Sequence, residues 1–291
     1  MKQNKLSVAI FKSCLEEKGF RVEFFYDRMK LYIDSSNDTT KIEELYPKAG
    51  EQTIIPRVLS HYDTMNSMVD VLQPDEEYLK NLQQAITGDY VINYVEFSMD
   101  IMSEDENKIK QLRQLFNKFL VYERKIKAGR FYYATGEVKV EVKGEVKVKG
   151  ENTYYFGNRT DHKDILVVYS DKRSKVDKSY YCVHIEMRLI GSKILKRNKI
   201  YTVADLIDYN HDDFWNKHLD LRDVSRNQLG RLCHPDQQGM NDSSYSRKGQ
   251  TIVSHYKSSQ ELLLKNPEAI KAFYQIEDRR MFKARLDKAL S

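Results

Sequence analysis

The sequence predicts an α+β fold in which helices back an antiparallel β-sheet, with a small N-terminal α+β lobe and a helical C-terminal region. Two patterns carry this prediction. Apolar and polar residues alternate in several segments between residues 20 and 190, which is typical of strands with one buried face. Beyond residue 202, apolar residues recur at helical spacing. We therefore expect an N-terminal lobe at 1–88, a sheet core at 89–205 and a helical region at 206–291.

The first lobe begins with a predicted helix at 5–18, followed by alternation at 20–33 that indicates a strand. A mixed apolar stretch at 56–72 ends before Pro74, and we interpret it as helical. A further helix is predicted at 76–86.

The core begins with a predicted strand at 90–99 and a helix at 105–125, whose acidic first turn suits the positive end of a helix. Valines then alternate with Lys139, Glu141, Lys143, Lys147 and Lys149, which predicts a hairpin. The remaining predicted strands are 131–134, 152–156, 164–170 and 180–189. Helices are predicted at 203–209, 214–221, 258–264 and 269–290, with a polar loop at 234–250.

Composition excludes several classes of protein. Hydrophobic residues make up 41% of the 291 residues and charged residues 31%, which suits a folded chain with a sizeable core. No apolar run approaches the roughly 18 residues that a membrane span needs, so no membrane partner is expected. The three cysteines form no Cys-x-x-Cys pair, which favours a reducing compartment and a cytoplasmic location.

Charge is divided unevenly along the chain. Residues 31–107 hold 4 Lys and Arg against 16 Asp and Glu, whereas residues 108–200 hold 23 against 10. A basic block of this kind could attract the phosphates of a nucleic acid. Lysines on exposed strands also keep sheet edges soluble, so charge alone leaves both interpretations open.

The motifs exclude several familiar chemistries. No paired histidine or cysteine ligands, no phosphate-binding glycine loop and no Gly-x-Ser-x-Gly elbow occur in the chain. Carboxylates remain as candidate catalytic groups. Glu96 and Asp100 share one face of a predicted strand. On another predicted strand, one face carries His184, Glu186 and Arg188. Such carboxylates could hold Mg²⁺ or Mn²⁺. The same alternation also fits a sheet with one solvated face, which is the more common case.

Tyr169 ends an apolar strand and precedes Ser170-Asp171-Lys172-Arg173, so its hydroxyl could stand beside positive charge. A tyrosine needs a neighbouring metal or cation to act as a nucleophile, because its unperturbed pKa is near 10. Tyr154, Tyr155, Tyr180 and Tyr181 are equally near to basic residues and stay open as alternatives.

Four segments in order resemble the nicking initiators of rolling-circle replication, in particular the filamentous-phage gene II protein group and the plasmid Rep_trans-like initiators. The segments are YVEF at 94–97 with EN at 106–107, YYFGNR at 154–159, LVVYSDK at 166–172, and IEMRL at 185–189, with VADLI soon after. The similarity covers about residues 90–210 and implies that 89–205 is a nickase-like core.

The resemblance implies a site-specific DNA-nicking and joining endonuclease. Glu96 and Glu186 would hold the metal, with Asp100 added from its spacing, and Tyr169 would attack a phosphodiester and form a 5′-phosphotyrosine link. Arg159 and Lys172 would lie near the scissile phosphate. The expected DNA-binding residues are Lys139, Lys143, Lys147, Lys149, Arg188 and Tyr155.

Single-stranded or supercoiled origin DNA is the partner that the resemblance implies, with a host helicase, a polymerase and a second copy of the chain as further candidates. Three alternatives stay open. The chain could be a non-catalytic nucleic-acid-binding module, a protein-interaction scaffold, or a relaxase or transposase that uses the same nick-and-join chemistry.

Overall fold

The computed structural model describes residues 5–56, 64–122, 132–134, 138–142, 145–149, 153–156, 164–170, 172–234, 241–256 and 258–291. Its helices are α1 (Val8–Glu16), α2 (Thr39–Glu43), α3 (Glu76–Ala85), α4 (Glu106–Phe119), α5 (Ser192–Arg197), α6 (Val203–Ile207), α7 (His211–His218), α8 (Arg226–Cys233), α9 (Asp242–Ser254), α10 (Ser259–Lys265) and α11 (Arg279–Leu290). None of the helices in these ranges has both the length and the apolarity needed to cross a bilayer.

The strands in the same ranges are β1 (Arg21–Asp34), β2 (Gln52–Pro56), β3 (Met65–Leu72), β4 (Tyr90–Ser103), β5 (Tyr132–Ala134), β6 (Val138–Val142), β7 (Glu145–Lys149), β8 (Thr153–Phe156), β9 (Asp164–Tyr169), β10 (Tyr181–Ile190), β11 (Arg222–Val224) and β12 (Phe273–Gln275). Eight of these described strands form one antiparallel sheet in the order β2-β3-β1-β4-β10-β9-β8-β5. The hairpin β6-β7 and the pair β11-β12 stand apart from it as two-stranded sheets.

Helices cover one face of the large sheet. Alternate residues of the central strand β4, among them Val95, Phe97 and Met99, pack into a core to which α1, α4, α7 and α11 contribute. The Phe97 ring stacks on Phe214 of α7 with the ring centroids 3.9 Å apart. Because successive strand residues point to opposite faces, the residues between these lie on the other face of the sheet.

The predicted α+β class, with an antiparallel sheet backed by helices, is confirmed. The strand expected at 20–33 is β1, and the helix expected at 105–125 is the shorter α4, which begins where Asp105 accepts a hydrogen bond from the amide of Asn107 at 2.8 Å. The valine hairpin forms as predicted. The division at residues 88 and 205 stays a prediction, and strands from both sides of residue 88 belong to the same sheet.

The helix predicted at 56–72 is wrong. Residues Met65–Leu72 form β3, in which Met65, Ser67, Val69 and Val71 are buried at every second position. β3 pairs with β1 on one side and β2 on the other, so its backbone groups are satisfied across the sheet rather than within a helix. β3 is buried on parts of both faces, so its apolar residues do not alternate strictly, and their spacing resembles that of a helix.

Two C-terminal predictions are also corrected. The segment expected as a polar loop at 234–250 contains most of α9, which begins where Asn241 accepts a hydrogen bond from the amide of Ser244 at 2.9 Å. The helix expected at 269–290 is divided into a 3₁₀ turn, β12 and α11, and α11 begins where Asp278 accepts from the amide of Met281 at 2.7 Å. Capping side chains set these boundaries, and hydrophobic periodicity does not register them.

Candidate active site

Polar side chains gather on the sheet face opposite the helices. They belong to the two central strands, where directly opposed residues of an antiparallel pair point to the same face. The pairs between β10 and β4 are His184 with Asp100, Glu186 with Ser98, and Arg188 with Glu96. On its other side, His184 is opposed by Tyr169 of β9.

A β-bulge in β1 adds Asp27 to this face. The pairing of β1 with β4 shifts between Tyr26, opposite Phe97, and Arg28, opposite Glu96, so Asp27 is the extra residue. Tyr26 points into the helix-covered core, whereas Asp27 and Arg28 both line the polar cavity. In a regular strand, two adjacent residues could not face the same side.

Asp27, His184 and Glu186 form a buried group that could bind a metal ion. His184 Nε2 lies 3.3 Å from Glu186 Oε2 and 3.9 Å from Asp27 Oδ2. Ligand atoms about 2.1 Å from one cation lie between about 3.0 Å apart at a right angle and about 4.2 Å apart in line, so both spacings fit a single ion.

The surroundings of this group also fit a bound ion and its ligands. Ser98 lies directly opposite Glu186 on the same face and is fully buried. Its hydroxyl has no hydrogen-bond partner within the part of the chain that the structure describes. A buried hydroxyl without a partner is costly, so it suits a site that is completed by a further polar group.

Asp100 lies behind His184 and outside the metal-binding group. Its Oδ1 is 2.5 Å from His184 Nδ1, and its Oδ2 accepts hydrogen bonds from Ser174 Oγ at 2.5 Å and from the Lys175 amide at 3.1 Å. Because Nδ1 is held by Asp100, Nε2 faces Asp27 and Glu186. Burial alone would lower the pKa of His184, but its hydrogen bonds to Asp100 and Glu186 outweigh burial and raise that pKa to about 9.

Arg188 stands between two glutamates. It donates from Nε to Glu186 Oε1, and the same nitrogen is 3.3 Å from Glu96 Oε1, which also accepts from the Tyr94 hydroxyl. Burial, together with repulsion from Glu186, raises the pKa of Glu96 to about 7. Burial would also raise the pKa of Glu186, but the hydrogen bond from His184 and the charge of Arg188 outweigh it and lower that pKa. Glu186 is therefore the first of the pair to ionise as the pH rises.

Tyr169 lies against the same group. Its ring stacks on the His184 imidazole, with centroids 4.4 Å apart and an interplanar angle of 27°. Lys172 Nζ and Lys175 Nζ lie 5.6 and 5.9 Å from the centre of its ring. Burial and the negative charges of Glu186 and the other nearby acids raise the pKa of the Tyr169 phenol well above its ordinary value. The phenol is consequently protonated in the metal-free protein.

Asp27, Glu186 and Tyr169 line a cavity of about 340 Å³, whereas His184 is buried and does not line it. Among the described residues, its acids are Asp27, Glu96 and Glu186, and its cations are Arg28, Lys172, Lys175 and Arg188. Three of these cations pair with carboxylates, namely Arg28 with Asp70, Lys175 with Asp27, and Arg188 with Glu186. Within the same ranges Lys172 has no carboxylate partner, so its charge is available to a ligand.

The structure brings together several of the residues predicted from sequence. Tyr169, Lys172, Glu96, Glu186 and Arg188 all line the cavity. Asp100 does not reach it. Arg159 and Lys143 lie outside the described residues. Tyr155 in β8 and the hairpin positions Lys139, Lys147 and Lys149 are placed only by their backbones, so their DNA-binding roles stay predictions.

Sequence reasoning missed Asp27 and Lys175, and it did not name His184 as a candidate metal ligand. The signal for His184 was its position two residues before Glu186 on one face of a strand. A search for paired histidines does not detect such a position, because one histidine between carboxylates can also form a metal site. No periodic signal could have indicated Asp27, because the bulge interrupts the alternation at that residue.

No protein-family model and no curated protein matches the chain. Among solved structures, the chain is similar to a rolling circle replication initiator protein from Geobacillus stearothermophilus, with 11% sequence identity and a TM-score of 0.35. The match covers 83% of this chain and 98% of the other. That degree of similarity establishes neither a shared fold nor a shared activity.

Proposed function

We propose that the protein initiates rolling-circle replication by nicking one strand of origin DNA through transesterification on Tyr169, and that it later rejoins the strand. A divalent cation would be held by Asp27, His184 and Glu186. One observation carries the proposal: the Tyr169 ring stacks on a histidine of the metal-binding group, inside a cavity that also holds Lys172. The ordered sequence motifs that resemble nicking initiators support the same conclusion.

The donor set bears on the choice of metal. Two carboxylates suit Mg²⁺ and Mn²⁺, whereas an imidazole is a poorer ligand for Mg²⁺, which prefers oxygen atoms. We therefore propose Mn²⁺ as the better fit to Asp27, His184 and Glu186. When bound, the cation would polarise the scissile phosphodiester and offset the negative charge that keeps the Tyr169 phenol protonated.

The chain's own residues would divide the remaining tasks. The Lys172 ammonium would bind a non-bridging oxygen of the phosphate. Arg188 would hold Glu186 ionised and in place, because its guanidinium bonds to that carboxylate. Asp100 would hold the imidazole of His184 in the orientation described above.

The proposed reaction conserves bonds and charge. Tyr169 Oη forms a bond to phosphorus as the bond from phosphorus to the 3′ oxygen breaks. The phenol loses its proton and the leaving 3′ oxygen gains one, so the products are a 5′-phosphotyrosine link and a free 3′ hydroxyl. Attack by a 3′ hydroxyl on that link reverses the step and rejoins the strand. A polymerase would extend the free 3′ hydroxyl, while the helicase and a second copy of the chain stay predictions.

A labelled pool of random single-stranded oligonucleotides tests the proposal. Incubation with Mn²⁺ should transfer label to the protein when the pool is labelled at its 3′ end, because the tyrosine keeps the 5′ phosphate of the downstream fragment. A pool labelled at its 5′ end should leave the protein unlabelled. Chelation of the metal before incubation should abolish the adduct.

Tyr181→Phe is a matched control for Tyr169→Phe, since the Tyr181 ring packs beneath Arg173 rather than on His184. We expect Tyr169→Phe to lose the covalent adduct and Tyr181→Phe to keep it. An adduct that survives in Tyr169→Phe would show that another residue is the nucleophile. If the wild-type protein binds the pool but forms no adduct in Mn²⁺ or in Mg²⁺, the result would contradict nicking and support a binding module.

A further inference from the structure

Lys175 is hydrogen-bonded to the carboxylate of Asp27, which is one of the proposed metal ligands. Its ammonium donates a hydrogen bond to Asp27 Oδ2, the same oxygen that lies 3.9 Å from His184 Nε2. The Asp27 side chain is 5% exposed, whereas that of Lys175 is 34% exposed. A buried carboxylate thus has its inner oxygen satisfied by a side chain that reaches in from solvent.

A divalent cation and the Lys175 ammonium compete for this oxygen. The two positive charges also repel each other strongly at a few ångströms in a buried site. The backbone of Asp27 is fixed in the bulge, where its carbonyl accepts a hydrogen bond from the Gln73 amide at 3.0 Å, and its short side chain keeps the carboxylate near that position. The lysine side chain, on a flexible four-carbon stem, is the partner that can move.

The backbone of Lys175 stays in place when the side chain moves. Its amide is bonded to Asp100, and the preceding Ser174 is bonded to Asp100 through its hydroxyl and to the Tyr180 carbonyl through its amide, at 3.0 Å. The ammonium already lies 5.9 Å from the centre of the Tyr169 ring. A rotation about the side-chain bonds alone can therefore carry the charge towards the tyrosine.

We propose that Lys175 is a metal-displaced positioning residue: it neutralises Asp27 in the metal-free protein and is released into the cavity beside Tyr169 when the cation binds. The proposal rests on the proposed metal site. Lys175 would then be available to bind a DNA phosphate, as a second lysine beside Lys172, only when the metal is present. A metal-free protein would then hold DNA without the full set of charges that the reaction needs.

Mn²⁺ binding in the absence of DNA tests this directly, with free Mn²⁺ followed by electron paramagnetic resonance. Lys175→Met should bind Mn²⁺ at least about tenfold more tightly than the wild type, because a hydrogen bond between charged groups no longer competes. Lys172→Met is the matched control, since it removes the same charge from the same cavity without touching Asp27. We expect it to change the affinity by less than about threefold, through long-range repulsion alone. Lys175→Arg, which keeps a positively charged partner for Asp27, should bind Mn²⁺ as weakly as the wild type does.

Thermal unfolding gives a second readout that a merely structural role would not produce. Lys175→Met should melt below the wild type in chelator, because the buried Asp27 carboxylate loses the hydrogen bond that Lys175 donates to it, and the two melting temperatures should converge in saturating Mn²⁺. Equal affinity in Lys175→Met and the wild type, or equal gains in Lys175→Met and Lys172→Met, would overturn the displacement. Failure of every variant to bind Mn²⁺ would instead overturn the metal site, and with it both proposals.

Discussion

The charge state of His184 makes the metal-free protein sensitive to alkaline pH. The folded protein holds the pKa of His184 at about 9, above the ordinary value of 6.5. A raised pKa contributes stability that is fully present below pH 6.5 and is lost as the pH rises through 9. The difference corresponds to about 3 kcal/mol, of which about 2 kcal/mol would be lost between pH 7 and pH 9.5.

Urea unfolding in the presence of a chelator measures this loss. The free energy of unfolding is compared between the wild type and His184→Gln at each pH, so that groups common to both proteins cancel. Glu96, whose pKa is raised to about 7, lowers the stability of the folded protein as the pH rises from about 4.5 to 7. A pH series that starts at pH 7 avoids that range. Between pH 7 and pH 9.5, we expect the free energy of unfolding of the wild type to fall by about 2 kcal/mol relative to that of His184→Gln.

The same proton should be released when the metal binds, because a metal-bound histidine is neutral. At pH 8 the metal-free imidazole is almost fully protonated, so we expect about one proton to be released per Mn²⁺ bound. Calorimetry in two buffers of different ionisation enthalpy counts these protons. Parallel pH profiles for the wild type and His184→Gln, together with a release below about 0.2 protons, would refute the charge state assigned to His184.

Three further outcomes follow from the packing. Asp100→Ala should lower the free energy of unfolding in urea by about 3–5 kcal/mol, because it removes one partner of a buried, charged hydrogen-bonded pair; a loss under 1 kcal/mol would contradict that pairing. If the proposed site binds Mn²⁺, the ion should raise the melting temperature of the wild type; Glu186→Gln should abolish that rise, whereas Glu106→Gln on the exposed start of α4 should keep it. Phe116→Ala, in the helix-covered core, should cost about 3–5 kcal/mol in urea while the Mn²⁺ affinity stays unchanged.

Much of the fold could be predicted because the strands of this sheet have one apolar face. β1, β4, β9 and β10 each carry the expected alternation or apolar run. β3 could not be assigned in the same way. Its buried positions include Asp70, which pairs with Arg28 of the neighbouring strand, so its pattern was decided by a partner distant in sequence.

The candidate site was predictable only in part. Glu186 lies on a strand whose alternation is regular, so its face could be derived from the sequence, whereas the apolar run of β9 left the face of Tyr169 undetermined. Asp100 also lies on the expected face, but the sequence could not show that His184 stands between it and the cavity. Asp27 could not be predicted, because a bulge is a feature of the pairing between two strands and leaves no pattern in either strand alone.

Asp100 connects the two halves of the site. One of its oxygens fixes the imidazole of His184, and the other fixes Ser174 and the backbone of Lys175. The strand that carries His184 and Glu186 and the loop that carries the cavity lysines are therefore positioned by one buried carboxylate. Since the carboxylate accepts from donors on both sides, its removal should release the imidazole of His184 and the loop together. Asp100 is fully buried although it does not face the cavity, and the donors on both of its sides offset the cost of burying its charge.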